Sequence, residues 1–405
     1  MRVASVCFSL LALASAAIAQ LTPGTKVPLG EPFPIVADFN HDGLDDLIQE
    51  RSVILNDGTS LSDVRDLALP SGEKVWAVLD VNGDHNLDLL TIAGGFPAPQ
   101  QPIYRLYIGD GTGRFGKPTN VVTGPRPYVS DVDGDGKDDL VVLAPFFEGN
   151  RDTATDVTVM RSRGDGTFET LPSFRIARSP QVYPDYRIQT GDLDRDGMPD
   201  LVLRTPTDLI ILHGRGGGHF DVEDQSMPQD VDEYGWWSMK LADIDGDTNL
   251  DIVLVARHKI RVLFGNGRGM FNDTTTASIP KFHDADPMPP GWNPLKLDGI
   301  NQPRQLVIGH FVRGDRNEIA ATTAEGDIVV YAYQSGVLLE VARAATEYLS
   351  PEVRPGKFRG PGGDDLYVMG TLIWGDPYPK PRVYVGSVPA AGVIAKPTRR
   401  RASHP

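Results

Sequence analysis

Apolar residues along this chain come in short bursts separated by turn residues, and the bursts repeat. SVILNDG at Ser52, YRLYIGDGTGRF at Tyr104, VTVMRSRGDGTF at Val157, DLIILHGRGGGHF at Asp208 and IRVLFGNGRGMF at Ile260 each run through β-branched and aromatic residues into a Gly-rich turn. IVVYAY at Ile328 and RVYVGS at Arg382 continue the series. Such runs predict short strands joined by tight turns. No long segment shows the 3.6-residue period of an amphipathic helix, so the pattern predicts an all-β fold.

Between the bursts one phrase recurs at roughly fifty-residue spacing: ADFNHDGLDDLI from Ala37, LDVNGDHNLDLL from Leu79, SDVDGDGKDDLV from Ser130, GDLDRDGMPDLV from Gly191 and ADIDGDTNLDIV from Ala242. GHFVRGDRNEIA from Gly309 and GKFRGPGGDDLYV from Gly356 are worn copies. An apolar stretch precedes each copy and a β-branched run follows it, so one unit supplies about four antiparallel strands, the content of a propeller blade. The expectation is one seven-bladed β-propeller of four-stranded antiparallel blades over residues 20–394. The last clear strand, Val383 to Val385, is a third strand, which leaves the seventh blade one short. Either Thr25 to Leu29 or Val388 to Ile394 should cover that edge, because an unpaired edge invites aggregation; the N-terminal segment is favoured because it ties the two ends of the chain together.

These repeats resemble the FG-GAP or VCBS-type repeat of integrin α-subunit propellers and of secreted bacterial and fungal proteins. The resemblance implies calcium in the loop joining the first and second strands of a blade. The residues support that reading independently. In the first loop Asp38, Asn40, Asp42 and Asp46 stand at positions 1, 3, 5 and 9, with the carbonyl of Leu44 at position 7. The other loops offer Asp80, Asn82, Asp84, Asn86 and Asp88; Asp131, Asp133, Asp135, Lys137 and Asp139; Asp192, Asp194, Asp196, Met198 and Asp200; and Asp243, Asp245, Asp247, Asn249 and Asp251, with position 7 again a carbonyl donor. Crowded hard oxygens suit calcium and repel one another without a cation; magnesium demands stricter octahedral geometry. Asp-Gly clusters also occur in plain hairpin turns, but five copies in one register argue for about five calcium sites. An EF-hand needs Glu at position 12 between helices; here Gln49, Thr91, Val142, Leu203 and Leu254 stand there in strand-like runs. The worn copies have no carboxylate at positions 1, 3 and 5 and keep only Glu318 and Asp365 at position 9.

Composition narrows the setting. The formal charge of -15 opposes a nucleic-acid or anionic-membrane binder, and five divalent cations would leave the chain without Arg2 at about −6. Residues 1–19, with an apolar run from Val3 to Ala14 and Ala17-Ile18-Ala19 before Gln20, read as a cleaved signal for export. The one cysteine, Cys7, lies within it, so the exported chain has no disulfide. No later apolar stretch is long enough for a membrane span, and residues 395–405 read as a basic disordered tail. Calcium would then do structural work at extracellular concentrations.

No zinc spacing, Walker loop or nucleophile elbow occurs, and a glycosidase-like acid pair is not separable from the loop acids. Aromatic residues are more telling. Strand alternation places Tyr183, Tyr186, Trp236, Trp237, Trp292, Trp374 and Tyr378, with Phe146 and Phe147, at the end opposite the acidic loops. There they would either wedge between blades or form a recognition face, with Tyr183, Tyr186, Trp236, Trp292, Trp374 and Tyr378 as candidate ligand contacts. The expected function is a secreted lectin-like or adhesion module for an extracellular carbohydrate or glycoprotein, with a propeller-based polysaccharide lyase or hydrolase as the alternative.

Overall fold

A computed structural model describes residues 19–20, 22–26, 35–49, 51–93, 102–123, 127–148, 151–176, 188–204, 208–226, 238–256, 259–278, 306–312, 316–322, 327–345, 348–358, 364–372 and 382–385. Every regular element among them is a β-strand. The strands pair into separate antiparallel sheets in chain order: residues 35–66, 73–123, 127–176, 188–226, 238–278 and 306–345, each with four consecutive strands, then residues 348–385 with three. The chain therefore completes six blades from consecutive strands where the repeat count predicts seven. The last sheet is a composite, its fourth strand supplied by Thr22–Lys26, which pairs antiparallel with Arg382–Val385. That is the N-terminal closure expected from the sequence, set three residues earlier than Thr25 to Leu29; the competing segment, Val388 to Ile394, lies outside the described residues.

Three details go beyond the repeat pattern. The third sheet has a long hairpin, Asp139–Glu148 with Arg151–Ser162, and a fifth strand, Phe174–Ile176. Ala19–Gln20 adds a short parallel strand to the outer edge of the sixth sheet, opposite Ala342 and Arg343. Among the described residues no helix is long and apolar enough to cross a membrane.

The apolar runs are continuous because the inner strands of each sheet, such as Asp46–Gln49, Asp200–Arg204 and Glu318–Thr322, are buried on both faces. Ile252 and Leu254 pack with Leu209 and Ile211 of the fourth sheet, while their neighbours Val253 and Val255 pack with Ile319 and Val329 of the sixth. The same two-sided packing runs from sheet to sheet around the molecule. It closes where Phe358 of the last sheet meets Leu47 and Ile54 of the first.

Polar clips reinforce this packing at the ends of the sheets. Asp138 N donates to the Asp80 carbonyl (2.8 Å) and Asp80 N to Asp138 Oδ2 (2.7 Å). Asp364 makes the same reciprocal pair with His310, and Asp45 with Lys357. Each clip joins position 8 of one loop to position 1 of the loop before it, and the Asp45–Lys357 clip joins the last sheet to the first. Removing residues 20–26 should expose the Arg382–Val385 edge, lower the unfolding temperature and promote self-association. Calorimetry and size-exclusion chromatography showing no change in either would contradict the closure.

Candidate metal centres in the acidic hairpin loops

All five acidic loops adopt one conformation. Positions 4 and 6 are left-handed in each, with φ between 60° and 86°: His41 and Gly43, Gly83 and His85, Gly134 and Gly136, Arg195 and Gly197, Gly246 and Thr248. Left-handed backbone favours glycine, and at least one of the two positions is always glycine. Alternating left- and right-handed residues coil the loop, so that the acid at each odd position can bond an amide further along.

Those bonds repeat with little variation. The position 1 carboxylate accepts the position 6 amide at 2.8–3.1 Å. The position 3 side chain accepts the position 5 amide at 3.0–3.2 Å. Position 5 accepts the position 7 amide at 2.8–2.9 Å, from Leu44, Asn86, Lys137, Met198 and Asn249. Each such bond occupies one lone pair and leaves further acceptor capacity on the side chain.

Position 9 is different. Asp46, Asp88, Asp139, Asp200 and Asp251 are fully buried. One oxygen of each accepts the position 2 amide, from Phe39, Val81, Val132, Leu193 and Ile244, at 2.8–3.1 Å. The other accepts an amide at the end of the third strand, from Asn56, Gly109, Ser162, Gly214 and Gly265, at 2.7–3.0 Å. A residue read from sequence as a metal ligand is thus first a clamp between the loop and the far end of its hairpin. The worn copies keep a version of it: Glu318, one methylene longer, accepts from Val312 N, one residue further along (2.6 Å), and Asp365 is buried in the corresponding place.

Burial pushes Asp46 and Asp88 up to about 6 and Asp139 and Asp251 up to about 7, against the pull of their amide donors, while the neighbouring loop acids add repulsion. Asp200 is raised for the same reason. A nearby cation would relieve that strain by favouring the charged form.

Carboxylate oxygens converge in three loops: Asp131, Asp133 and Asp139; Asp192, Asp194 and Asp196; Asp243, Asp245 and Asp251. In the first two loops position 3 is Asn40 or Asn82, so the carboxylates at positions 1, 5 and 9 are joined by an amide oxygen instead. The donor set fits a hard cation. Oδ1 of Asp192 is buried and accepts no hydrogen bond, a costly state for a carboxylate oxygen. Basic side chains meet part of this charge: Lys137 Nζ lies 2.6 Å from Asp135 Oδ2 and Arg215 Nη1 3.4 Å from Asp196 Oδ2.

Tyr183, Tyr186, Trp236, Trp237, Trp292, Trp374 and Tyr378 lie outside the described residues. At that end of the molecule Phe146, on the long hairpin of the third sheet, is half-buried with the Arg175 guanidinium 3.4 Å from its ring centroid.

The two kinds of carboxylate should separate on mutation. Asp139→Ala strands the Val132 and Ser162 amides and should cost about 3 kcal/mol or more in chelator, whereas Asp135→Asn should cost less than about 1 kcal/mol there and reduce only the stabilisation that added metal provides. Denaturant unfolding in chelator and in metal checks both; a neutral Asp139→Ala would refute the clamp.

Comparison with known proteins agrees with this geometry. A family model described as the FG-GAP-like repeat matches residues 80–142, 131–203 and 192–254. Human integrin alpha-7 is 28% identical over 145 residues, 34% of this chain, and the rat protein matches equally. The chain spans only 12% of the human protein's length. Among solved structures, an Agrocybe aegerita lectin described as recognising non-reducing terminal N-acetylglucosamine superposes with TM-score 0.52 at 16% identity, over 76% of this chain and 80% of the lectin. BBS1N, solved in complex with ARL6DN, superposes with TM-score 0.51 at 10% identity, over 91% and 96%. At such identities these structures share the fold alone. The chain is a β-propeller protein whose residues 80–254 match the FG-GAP-like repeat and part of which is similar to integrin alpha-7.

Proposed function

We propose that this is a secreted, calcium-stabilised β-propeller of seven blades, the seventh closed by the N-terminal strand, that binds an extracellular carbohydrate or glycoprotein. The observation that carries the metal part is the unpartnered, buried Asp192 Oδ1 within a loop geometry that recurs five times. Calcium suits oxygen donors from positions 1, 3, 5 and 9, with the position 7 carbonyl available, because it takes six to eight hard oxygens in flexible geometry. Asp38, Asp80, Asp131, Asp192 and Asp243 would hold it from position 1. The ion would neutralise acids that burial and mutual repulsion destabilise, and would order the hairpins of a chain without disulfides after loss of Cys7. Export with cleavage after Ala19 would leave Gln20 as the first residue, just before the Thr22–Lys26 strand.

Ligand binding belongs to the opposite end. Antiparallel alternation puts the connections between second and third strands, and those leading into each sheet, away from the acidic loops. These connections hold the aromatic candidates from Tyr183 to Tyr378. Flat rings beside acids and amides stack on sugar CH faces while polar groups meet the hydroxyls, and the same residue types anchor protein partners. A lectin shares the scaffold, which supports a propeller as a workable frame for sugar recognition.

A glycan array probed with the full exported chain, in excess calcium and in chelator, should show binding that calcium strengthens. Trp236→Ala should weaken that binding by ten-fold or more while shifting the unfolding temperature little. Binding that is absent from the array, or unchanged in Trp236→Ala, would count against the recognition face; release of cleaved glycan would favour the hydrolase or lyase reading.

A further inference from the structure

The fourth sheet differs from the others at one residue. His213 is the penultimate residue of its third strand, Asp208–Gly214, immediately before the Gly214 amide that caps Asp200. The equivalent residues in the first, second and fifth sheets, Leu55, Ile108 and Phe264, offer no ligand atom; in the third sheet Arg161 places a fixed cation 3.7 Å from Asp133.

The His213 side chain is more than nine-tenths buried, and its Nδ1 makes no hydrogen bond. That nitrogen lies 3.4 Å from Asp200 Oδ1 and 3.7 Å from Asp194 Oδ2. On the other side of the ring, Nε2 lies 3.1 Å from Glu223 Oε2. A carboxylate accepts only, so the Nε2 proton goes to Glu223 and, in the neutral ring, the Nδ1 lone pair faces two acids. Only a proton on Nδ1 or a metal ion between the ring and the carboxylates removes that repulsion. The neighbouring sheet holds the ring in place: a Cβ at Gly269 would come within 2.3 Å of His213 Cε1.

We infer that His213 Nδ1, Asp194 Oδ2 and Asp200 Oδ1 form a mixed nitrogen–oxygen site for a borderline transition metal such as zinc. Zinc bonds to nitrogen and oxygen are about 2.0–2.2 Å, which sets tetrahedral ligand atoms about 3.4 Å apart. Both separations from Nδ1 are near that value, and the three atoms lie within 4.8 Å of one another. Imidazole selects zinc over calcium. The Glu223–His213 hydrogen bond is the outer-shell partner that orients a metal-bound histidine and raises its basicity. Three protein ligands leave a fourth position for water. Arg215, with Nη1 3.9 Å from Asp194 Oδ2, is the local competitor for that acid. The site shares Asp194 and Asp200 with the calcium reading of the fourth loop, so the two ions exclude one another there; the other four loops have no histidine in this place.

The test uses the full exported chain, stripped of metal and held in excess calcium at a pH where free imidazole is neutral. Cobalt(II) should bind at one equivalent with the visible absorption of a tetrahedral nitrogen–oxygen site, and zinc should displace it. His213→Gln should abolish the bands and weaken zinc binding by a hundred-fold or more; Glu223→Gln, an outer-shell change, should keep the bands and weaken zinc about ten-fold. Absence of cobalt binding by the native chain, or equal zinc affinity in His213→Gln, overturns the site. Should His213→Gln not fold, a native cobalt spectrum without tetrahedral bands or an unaltered Glu223→Gln affinity overturns it. Calcium-dependent unfolding measured on the same protein is a separate readout: its loss with cobalt binding intact defeats the calcium reading and leaves this site standing, and the converse result does the reverse.

Discussion

Each of the five blades with an intact acidic loop rests on one buried carboxylate that receives two backbone amides. The position 9 acid closes the loop between first and second strands onto the end of the third, so three strands are fixed at one end by a single side chain. Hydrogen bonds to a charged group are among the stronger contributions available to a small hairpin, and here one acid makes two. The buried acid persists in repeats that have lost the acids at positions 1, 3 and 5: Glu318 still accepts the Val312 amide, and Asp365 is buried in the same place. A residue kept where its acidic companions are gone is serving the fold, whatever else it does elsewhere.

Burying that acid beside others has a cost that the loops distribute between two devices. Positions 1, 3 and 5 each tie an amide further along, which holds the loop in shape but leaves carboxylate oxygens facing one another. Lys137, Arg161 and Arg215 offset part of this charge in the third and fourth sheets. Among the described residues no Lys or Arg side chain pairs with the acids of the first, second and fifth loops, and there a bound cation has the larger task. Folding and metal binding are therefore coupled: the clamp shapes the loop, and the loop concentrates the charge.

Much of this was legible in the residues. The recurring Asp-x-Asp/Asn-x-Asp phrase with an acid at position 9 located the hairpins, and the shortage of one strand at Val383 to Val385 pointed to closure by one of two terminal segments, the N-terminal one favoured. The register of that closure was not legible, because TPGTK has no alternation of apolar and polar residues to set it. Nor was the division of labour between position 9 and positions 1, 3 and 5, since a clamp and a ligand are both written Asp. The clips between sheets carry a signal of their own: the doubled acid in GLDDLI, GKDDLV and GGDDLYV marks the copies in which Asp45, Asp138 and Asp364 reach the preceding loop. His213 had none, because a lone histidine at a strand end gains meaning only when Asp194 and Asp200, far from it in sequence, are placed beside it.

The central claim is that one repeated loop carries both a scaffold acid and a cation cage, and that only intact copies hold the cage. Anomalous diffraction from crystals of the exported chain soaked with a lanthanide in place of calcium tests it most directly. The account predicts peaks within the loops at residues 38–46, 80–88, 131–139, 192–200 and 243–251, and none at 310–318 or 357–365, which have no carboxylate at positions 1, 3 and 5. Peaks in the worn loops, or none in the intact ones, would contradict it.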